Sequence, residues 1–242
     1  MWQRLLWRRR WRRLQQARQT AAGQCLSPVM AEWLQQPLPR PSQPLDELKL
    51  LAIDLETTGL DATNGAILSF GWVAIEHGHI RLDSADHRLI NAAADVGASA
   101  TIHGIRDCDQ DQGETLTPVL DELFGHLQGR WPVFHHGALD LAFLDAACRR
   151  HWGCGCPLFY IDTLQWQQQR LRQQHGGELH QALHLSAVMD NLNLPLRRAH
   201  NALDDAQSCA EVCLALSRLT HARFGDCAQL WLQPAGSHQP TP

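Results

Sequence analysis

The sequence predicts an α/β fold: a mixed β-sheet, antiparallel meander first and parallel strands after, with helices packed on it. The apolar run Leu48–Leu55 is typical of a buried strand. Ala66–Glu76 and His79–Ile90 are two further strand candidates, and His77-Gly78 between them predicts a hairpin turn. Helical and strand patterns then alternate along the chain, which favours a layered α/β domain.

The second half of the domain is predicted from the same patterns. Thr115–Leu127 has helical spacing, with apolar residues along one face and Pro118 in the first turn, where a helix tolerates proline. A strand, a helix, a strand and three helices follow: Trp131–Phe134, Leu139–Trp152, Leu158–Ile161, Thr163–Gln174, His184–Asn191 and Asn201–Arg218. We expect this domain to span residues 45–225, followed by a C-terminal tail at residues 226–242.

The chain begins with a basic segment of different composition. Residues 1–45 carry a charge of +7, so the rest carries −11 of the total −4. We expect residues 1–44 to form a basic arm, helical to about Ala22, and a proline-rich linker. Three interpretations of the arm stay open: a helix on an anionic membrane surface, a grip on nucleic acid, or a helix docked on a partner or on the body.

Composition also limits the class of protein. The acidic body is unlike a general DNA-coating protein, which needs Lys and Arg for phosphate contacts, but it is compatible with a carboxylate site that captures metal ions. No apolar run reaches the roughly 18 residues of a transmembrane segment, and the basic start lacks the apolar core of a secretion signal. We therefore expect no transmembrane segment and a cytoplasmic location.

Two carboxylates mark the end of the first predicted strand. Asp54 and Glu56 are two residues apart, so strand alternation puts both side chains on one face. Two partly buried carboxylates repel each other, and a divalent cation between them removes that cost. Their oxygen ligands suit Mg²⁺ or Mn²⁺. Taken alone, however, the pair reads more simply as two solvated acids at a strand end.

Three segments in order change that balance. Ile53–Leu60 (IDLETTGL), Val133–Leu144 (VFHHGALDLAFL) and His200–Ala206 (HNALDDA) resemble the three motifs of the DEDDh-type 3′→5′ exonucleases. This family includes the proofreading subunit of bacterial replicative polymerase and ribonuclease T, and has a ribonuclease H-like fold. The resemblance covers roughly residues 50–219. It implies a metal-dependent enzyme that shortens single-stranded DNA or RNA from 3′ ends and releases nucleoside 5′-monophosphates, with DNA slightly favoured.

The resemblance also implies a role for each matching residue. The metal ligands for two Mg²⁺ or Mn²⁺ ions would be Asp54, Glu56, Asp140 and Asp205. His200 would be the general base. In a continuous helix it would lie about 140° from Asp205, so we expect it on the segment that leads into the helix, as in the family. The terminal nucleotide would be contacted by four residues: Thr57, Thr58, Leu60 and His136.

Departures from the family pattern leave room for an alternative. His136 stands where the family usually has Asn, and Leu139 stands where it usually has Phe. Neither departure removes a metal ligand, so His136 puts substrate preference in doubt rather than activity. The competing hypothesis is an inactive nucleic-acid-binding or adaptor module that kept the fold. Basic residues of the arm could also bind a protein partner or an anionic surface.

Overall fold

Six strands form one mixed sheet in the order β3-β2-β1-β4-β5-β6. The strands are β1 (Leu50–Thr57), β2 (Ile67–Glu76), β3 (His79–Leu89), β4 (Trp131–Phe134), β5 (Leu158–Asp162) and β6 (Ala228–Trp231). The first three form an antiparallel meander, β1, β4 and β5 are parallel, and β6 returns antiparallel to β5. The predicted sheet of a meander followed by parallel strands is confirmed.

This computed structural model describes residues 2–92, 111–174, 182–197 and 200–232. Its helices within those ranges are α1 (Trp2–Gln24), α2 (Pro28–Gln35), α3 (Leu116–His126), α4 (Ala138–Trp152), α5 (Thr163–Gln174), α6 (Leu185–Asn191), α7 (Ala202–Thr220) and the short α8 (Phe224–Cys227). Among these helices, none is both long enough and apolar enough to cross a membrane.

Helices cover both faces of the sheet. Side chains alternate along β1, so Leu51 and Ile53 join one core cluster while Leu50 and Ala52 join the other. The first cluster contains buried residues of α2, α3 and α4, and the second contains residues of α1, α5, α6 and α7. Asp54 continues the second series, so its carboxylate points toward the side of the sheet that α7 covers.

Residues 1–44 differ from the expected arm and linker. Pro28 begins α2, where its missing N–H costs nothing, and the Ser27 side chain caps this helix by accepting a hydrogen bond from the Met30 N–H at 3.2 Å. Met30 and Trp33 are fully buried in the core. The prediction of a linker was wrong because local proline content does not reveal which apolar side chains the body will bury.

The C-terminal boundary also differs from the expectation. Strand β6 lies within the predicted tail and pairs with β5 from Leu158↔Trp231 to Ile161↔Ala228. The sheet therefore extends past residue 225. Residues 233–242 of the predicted tail lie outside the described residues.

Helix α1 is docked on the body, which is one of the three interpretations left open by the sequence. The rings of Trp7 and Trp11 lie 4.9 and 6.2 Å from that of Phe159. Arg18 is 2% exposed, its guanidinium lies 4.5 Å from the centre of the Trp33 ring, and its Nε donates to the Leu34 carbonyl at 2.9 Å. Burial lowers the pKa of Arg18 to about 10, so it stays charged at neutral pH.

Four arginines of α1 face outward, away from the body. Arg8, Arg9, Arg12 and Arg13 are exposed, and none forms a salt bridge within the described residues. Because the Trp side of the helix is occupied by the body, it is not available for insertion into a membrane. The outward face can still contact anions by charge alone.

Trp33→Ala tests whether residues 1–44 belong to the cooperative core. We expect the free energy of unfolding to fall by about 3–5 kcal/mol, the usual effect of truncating a buried large aromatic side chain. The control is Leu26→Ala, because Leu26 is 75% exposed in the loop before α2. Urea denaturation followed by tryptophan fluorescence and circular dichroism measures both. Equal stability of the two variants would contradict the packing described for α2.

Candidate active site

Three carboxylates from two separate elements meet at the end of β1. Asp54 and Glu56 lie on one face of β1 near its C-terminal end, and Asp205 lies in the first turn of α7. One ligand oxygen from each of these three side chains lies within 4.8 Å of the others. The structure thus brings together residues of the first and third sequence motifs, which are about 150 positions apart.

Asp140 joins the same site from the opposite side. It lies in the first turn of α4, and its Oδ1 accepts a hydrogen bond from the Leu55 N–H at 3.1 Å. Leu55 is the residue between Asp54 and Glu56, so this bond holds the Asp140 carboxylate against the strand that carries the other two. All four predicted metal ligands are therefore neighbours, and each is partly accessible.

A glycine determines how closely α7 approaches the sheet. Gly71 of β2 is the cross-strand partner of Asp54 and so lies on the same face. A Cβ atom at Gly71 would lie 2.1 Å from the carbonyl carbon of Ala202, the first residue of α7. The motifs did not reveal this residue, although an isolated glycine inside an apolar strand is a known sign of close backbone approach.

The start of α7 is fixed by its cap. Asn201 accepts hydrogen bonds from the Leu203 and Asp204 N–H groups, each at 3.1 Å. Such capping satisfies backbone donors that have no partner within the helix. Together, the cap and Gly71 place Asp205 opposite β1.

Burial, and after it mutual repulsion, disfavours the charged forms of these carboxylates. Burial raises the pKa of Asp54 well above its usual value, and the charges of Asp140, Asp205 and Glu56 raise it further. The pKa of Glu56 rises to about 7, from burial and from the charges of Asp205 and Asp140. Burial also raises the pKa of Asp140 and Asp205, although backbone N–H groups act in the opposite sense.

Protein cations do not relieve this repulsion. Across the described ranges, no Arg or Lys side chain forms a salt bridge with any of the four carboxylates. Four hard oxygen donors without a protein counter-charge fit a divalent cation that prefers oxygen ligands. The donor set therefore matches the cofactor class that the sequence predicts.

His200 lies outside α7, as the helical geometry required. Helix α7 begins at Ala202, and His200 precedes its cap in the left-handed region at φ 64°. Its backbone N–H donates to Asp205 Oδ2 at 2.9 Å, and its side chain is exposed. The imidazole is thus tied through its own backbone to one of the carboxylates and is free to face a ligand.

The four predicted nucleotide contacts lie at two turns, one at the end of β1 and one before α4. Thr57 ends β1 and Thr58 begins the turn that follows: Thr57 Oγ1 donates to the Gly59 carbonyl at 2.9 Å, and the Thr58 N–H donates to the Ala66 carbonyl at 3.0 Å. Leu60 follows with 85% of its surface exposed. An apolar side chain so exposed beside an acidic cleft is a ready contact for a flat, apolar ligand surface.

The second turn carries His136. This residue is exposed and adopts φ 65°, and its N–H donates to Asp162 Oδ1 at 3.1 Å. The fully buried Asp162 also accepts bonds from the Leu164 and Gln165 N–H groups, so one carboxylate fixes both the His136 turn and the start of α5. These contacts give Asp162 a structural role.

Comparison with known proteins decides the family. Residues 51–213 match the model of the RNase_T family, described as Exonuclease. The chain belongs to this exonuclease family. The matched region contains the three motifs, and the DEDDh resemblance drawn from them is confirmed.

Individual relatives of the exonuclease domain support the same placement. Over 165 residues the chain is 32% identical to the PolC-type DNA polymerase III of Thermotoga petrophila; this covers 68% of the chain but 11% of the polymerase. The nuclease domain of 3′hExo, a DEDDh family member bound to rAMP, has a TM-score of 0.60 at 13% identity, covering 77% of this chain and 97% of that one. E. coli Exonuclease I with a dT13 oligonucleotide has a TM-score of 0.58 at 11% identity, covering 72% and 43%.

The raised pKa values make the stability of the metal-free exonuclease depend on pH. Between about pH 4 and 7 the folded protein holds protons on these carboxyl groups that the unfolded chain has lost. Their contribution to the free energy of unfolding therefore falls as the pH rises across that window. Protons also compete with metal ions for the same oxygens, so metal affinity rises with pH.

Asp54→Asn should stabilise the metal-free exonuclease, because it removes one of the repelling charges. In EDTA at pH 8 we expect the Tm to rise by about 2–4 °C, the shift that corresponds to about 1 kcal/mol in a chain of this size. The gain should be smaller at pH 5.5, where the wild-type carboxyl groups are partly protonated.

A matched control for this experiment is Asp61→Asn. Hydrogen bonds from Asn64 and Thr63 lower the pKa of this exposed carboxyl, so its neutralisation should bring no gain in Tm. Differential scanning fluorimetry at the two pH values measures all three proteins. An Asp54→Asn variant that melts below the wild type in EDTA would show that the buried, repelled charge of Asp54 does not destabilise the metal-free fold.

Gly71→Ala should disrupt the site by displacing α7. The added methyl overlaps backbone atoms of Ala202, so α7 must shift and carry Asp205 away from Asp54. We expect a loss of about 1–3 kcal/mol in stability from overpacking and a larger than tenfold fall in kcat/KM. Gly125→Ala in α3 is the control, because nothing lies within 4 Å of its Cβ position. Unchanged kcat/KM in Gly71→Ala would show that α7 position is not critical.

Proposed function

We propose that this chain is a 3′→5′ exonuclease that hydrolyses the terminal phosphodiester bond of single-stranded nucleic acid and releases nucleoside 5′-monophosphates. The observation that carries the proposal is the meeting of Asp54, Glu56, Asp140 and Asp205 at one accessible site. Family membership supports the reaction class. Because the chain spans 11% of its polymerase relative, the activity of that whole protein is not transferred to it.

Two divalent ions, Mg²⁺ or Mn²⁺, are the proposed cofactors. Asp54, Glu56, Asp140 and Asp205 would hold them, since these carboxylates are neighbours that lack a protein counter-charge. Bound metal ions of this kind stabilise charge on the attacking and leaving oxygens of a phosphoryl displacement. The elements β1, α4 and α7 hold these four residues from three directions, and this fixes the orientation of the carboxylates.

His200 is the proposed general base that accepts a proton from the attacking water. Histidine is the side chain that most often serves this role at neutral pH. Its exposed imidazole lies on the segment before α7, five residues before Asp205, so it faces solvent at the rim of the carboxylate cluster. The backbone bond to Asp205 keeps this residue beside the site while the ring remains free to rotate.

DNA is the slightly favoured substrate. The relative with 32% identity is named as a DNA polymerase, and the E. coli Exonuclease I structure contains a deoxyribonucleotide strand. The 3′hExo structure contains rAMP, however, so the fold serves both sugars among its neighbours. A single-stranded 3′ end is favoured because the last nucleotide must reach the carboxylates unpaired.

An inactive binding module is the competing function. Four clustered carboxylates repel phosphates unless metal ions are bound, so they bring no advantage to a protein that only binds nucleic acid. A protein that only binds could also lose these carboxylates, and the loss would stabilise its metal-free fold.

The test is a gel time course with 5′-labelled DNA and RNA strands of one sequence, in Mg²⁺, Mn²⁺ or EDTA. We expect a metal-dependent ladder that shortens from the 3′ end, absent in Asp54→Ala and slowed by at least about a hundredfold in His200→Ala. The faster ladder identifies the preferred sugar. No shortening of either strand with either metal would support the binding module instead.

Leu60→Ala tests the predicted contact with the terminal nucleotide. Since Leu60 is 85% exposed, its truncation should leave the Tm unchanged but lower kcat/KM for an oligonucleotide by about tenfold, the effect of losing one apolar contact. Leu82→Ala is the control, because Leu82 is 67% exposed on the edge strand β3. Equal kcat/KM for the two variants would remove Leu60 from the binding site.

A protein partner or an anionic surface at the arginines of α1 stays a prediction, and so does the cytoplasmic location. Because α1 is docked on the body, binding at these arginines cannot be tested by deleting the segment. Deleting residues 1–44 would remove Leu14, Met30 and Trp33 from the core, so replacing exposed arginines with glutamine is the informative change.

A further inference from the structure

A glutamine stripe runs along the outer face of α5. Helix α5 contains six glutamines, two arginines and no acidic residue, on a body that is otherwise strongly acidic. The stripe consists of Gln165, Gln168, Gln169, Arg172 and Gln173. Their spacing of i, i+3, i+4, i+7 and i+8 is that of one helical face, and Trp166 and Leu171 occupy the buried side.

The stripe lines a groove at the edge of the sheet. The groove has a volume of about 420 Å³ and is bounded by the five residues of the stripe together with Gln229 of β6. Every lining side chain is an amide or a guanidinium, so the groove offers hydrogen-bond donors and one positive charge. It lacks the aromatic or aliphatic anchors that usually bind a protein partner.

One end of the groove is linked through Asp162 to the turn that carries His136. Gln165 Nε2 donates to Asp162 Oδ2 at 3.2 Å, and Asp162 Oδ1 accepts the His136 N–H at 3.1 Å. His136 is the residue at the turn before α4, which carries Asp140. Gln165 is therefore two hydrogen bonds away from the turn that precedes Asp140.

The other end approaches the basic helix α1. Gln229 follows Ala228, whose carbonyl accepts a hydrogen bond from Arg10 Nη2 at 3.3 Å. Like α5, α1 contains no acidic residue, and its seven arginines include four that face outward. The groove thus joins the active site to the basic segment of the chain without passing an acidic side chain on either helix.

We propose that the glutamine stripe and Gln229 bind the sugar-phosphate backbone of the strand upstream of its 3′-terminal nucleotide. This inference rests on the proposed exonuclease function. From Gln165 to Gln173 the stripe is about 12 Å long, roughly the length of four stacked nucleotides. Amide groups donate to phosphate oxygens regardless of sequence, and their neutrality avoids the repulsion that the acidic body would otherwise impose.

The test compares substrates that can and cannot reach the groove. A thymidine dinucleotide ends within the active site, whereas a 20-residue oligo(dT) strand extends beyond it. In Gln169→Glu/Gln173→Glu, which adds two charges at exposed positions without changing side-chain size, the ratio of kcat/KM for the long strand to that for the dinucleotide should fall about tenfold. Gln24→Glu/Gln35→Glu adds the same charge at exposed positions outside the groove and should keep the wild-type ratio.

Strand binding is measured separately, by fluorescence anisotropy of labelled oligo(dT) with Asp54→Asn as the background. The groove variant should weaken binding about tenfold. Arg172→Ala should reduce the slope of log Kd against log salt by about 0.7, the value for one phosphate contact on a single strand.

The outcomes separate the inference from the function on which it rests. Hydrolysis of both substrates with an unchanged ratio, and unchanged anisotropy, in the groove variant would overturn the proposed path and leave the exonuclease intact. Absence of hydrolysis by the wild type would overturn the exonuclease, while weaker binding by the groove variant would still support the path.

Discussion

The burial of four carboxylates beside one another is the constraint on which this structure depends. Asp54 and Glu56 stand on β1, which is hydrogen-bonded on both sides by β2 and β4 and cannot retreat. Asp140 and Asp205 are pressed toward the same point by helices packed on opposite faces of the sheet. The surrounding fold must supply enough packing energy to keep four like charges together, and both core clusters converge on β1 to do so.

Backbone donors do much of the positioning that side chains would do elsewhere. The N–H groups of Leu55, His136 and His200 each bond to a carboxylate, of Asp140, Asp162 and Asp205 respectively. Two of these donors belong to residues with positive φ at the turns where a strand or loop enters a helix. Backbone bonds at these turns therefore fix the geometry of the site, and side chains such as the His200 imidazole remain free to contact a substrate.

The sequence predicted most elements because buried strands and amphipathic helices carry their own periodicity, and Trp131–Phe134 and Thr163–Gln174 matched residue for residue. It predicted the carboxylates because three motifs in order restrict the topology that unites them. It missed α2 and β6, whose formation depends on neighbours: Trp33 needs the surface it packs on, and Ala228–Trp231 becomes a strand by pairing with β5. Gly71 was missed because the clash it avoids involves a residue about 130 positions away.

The positive φ angles of His136 and His200 have an evolutionary consequence. Each left-handed non-glycine residue costs about 1–2 kcal/mol, and the selection that retains it must come from activity rather than from folding. A duplicated gene relieved of the need to cut would drift toward glycine or asparagine at position 200, where the His is needed only for activity. Such drift is favourable to folding and hard to reverse, so inactive descendants of this lineage should be recognisable at position 200 before the acidic residues themselves disappear.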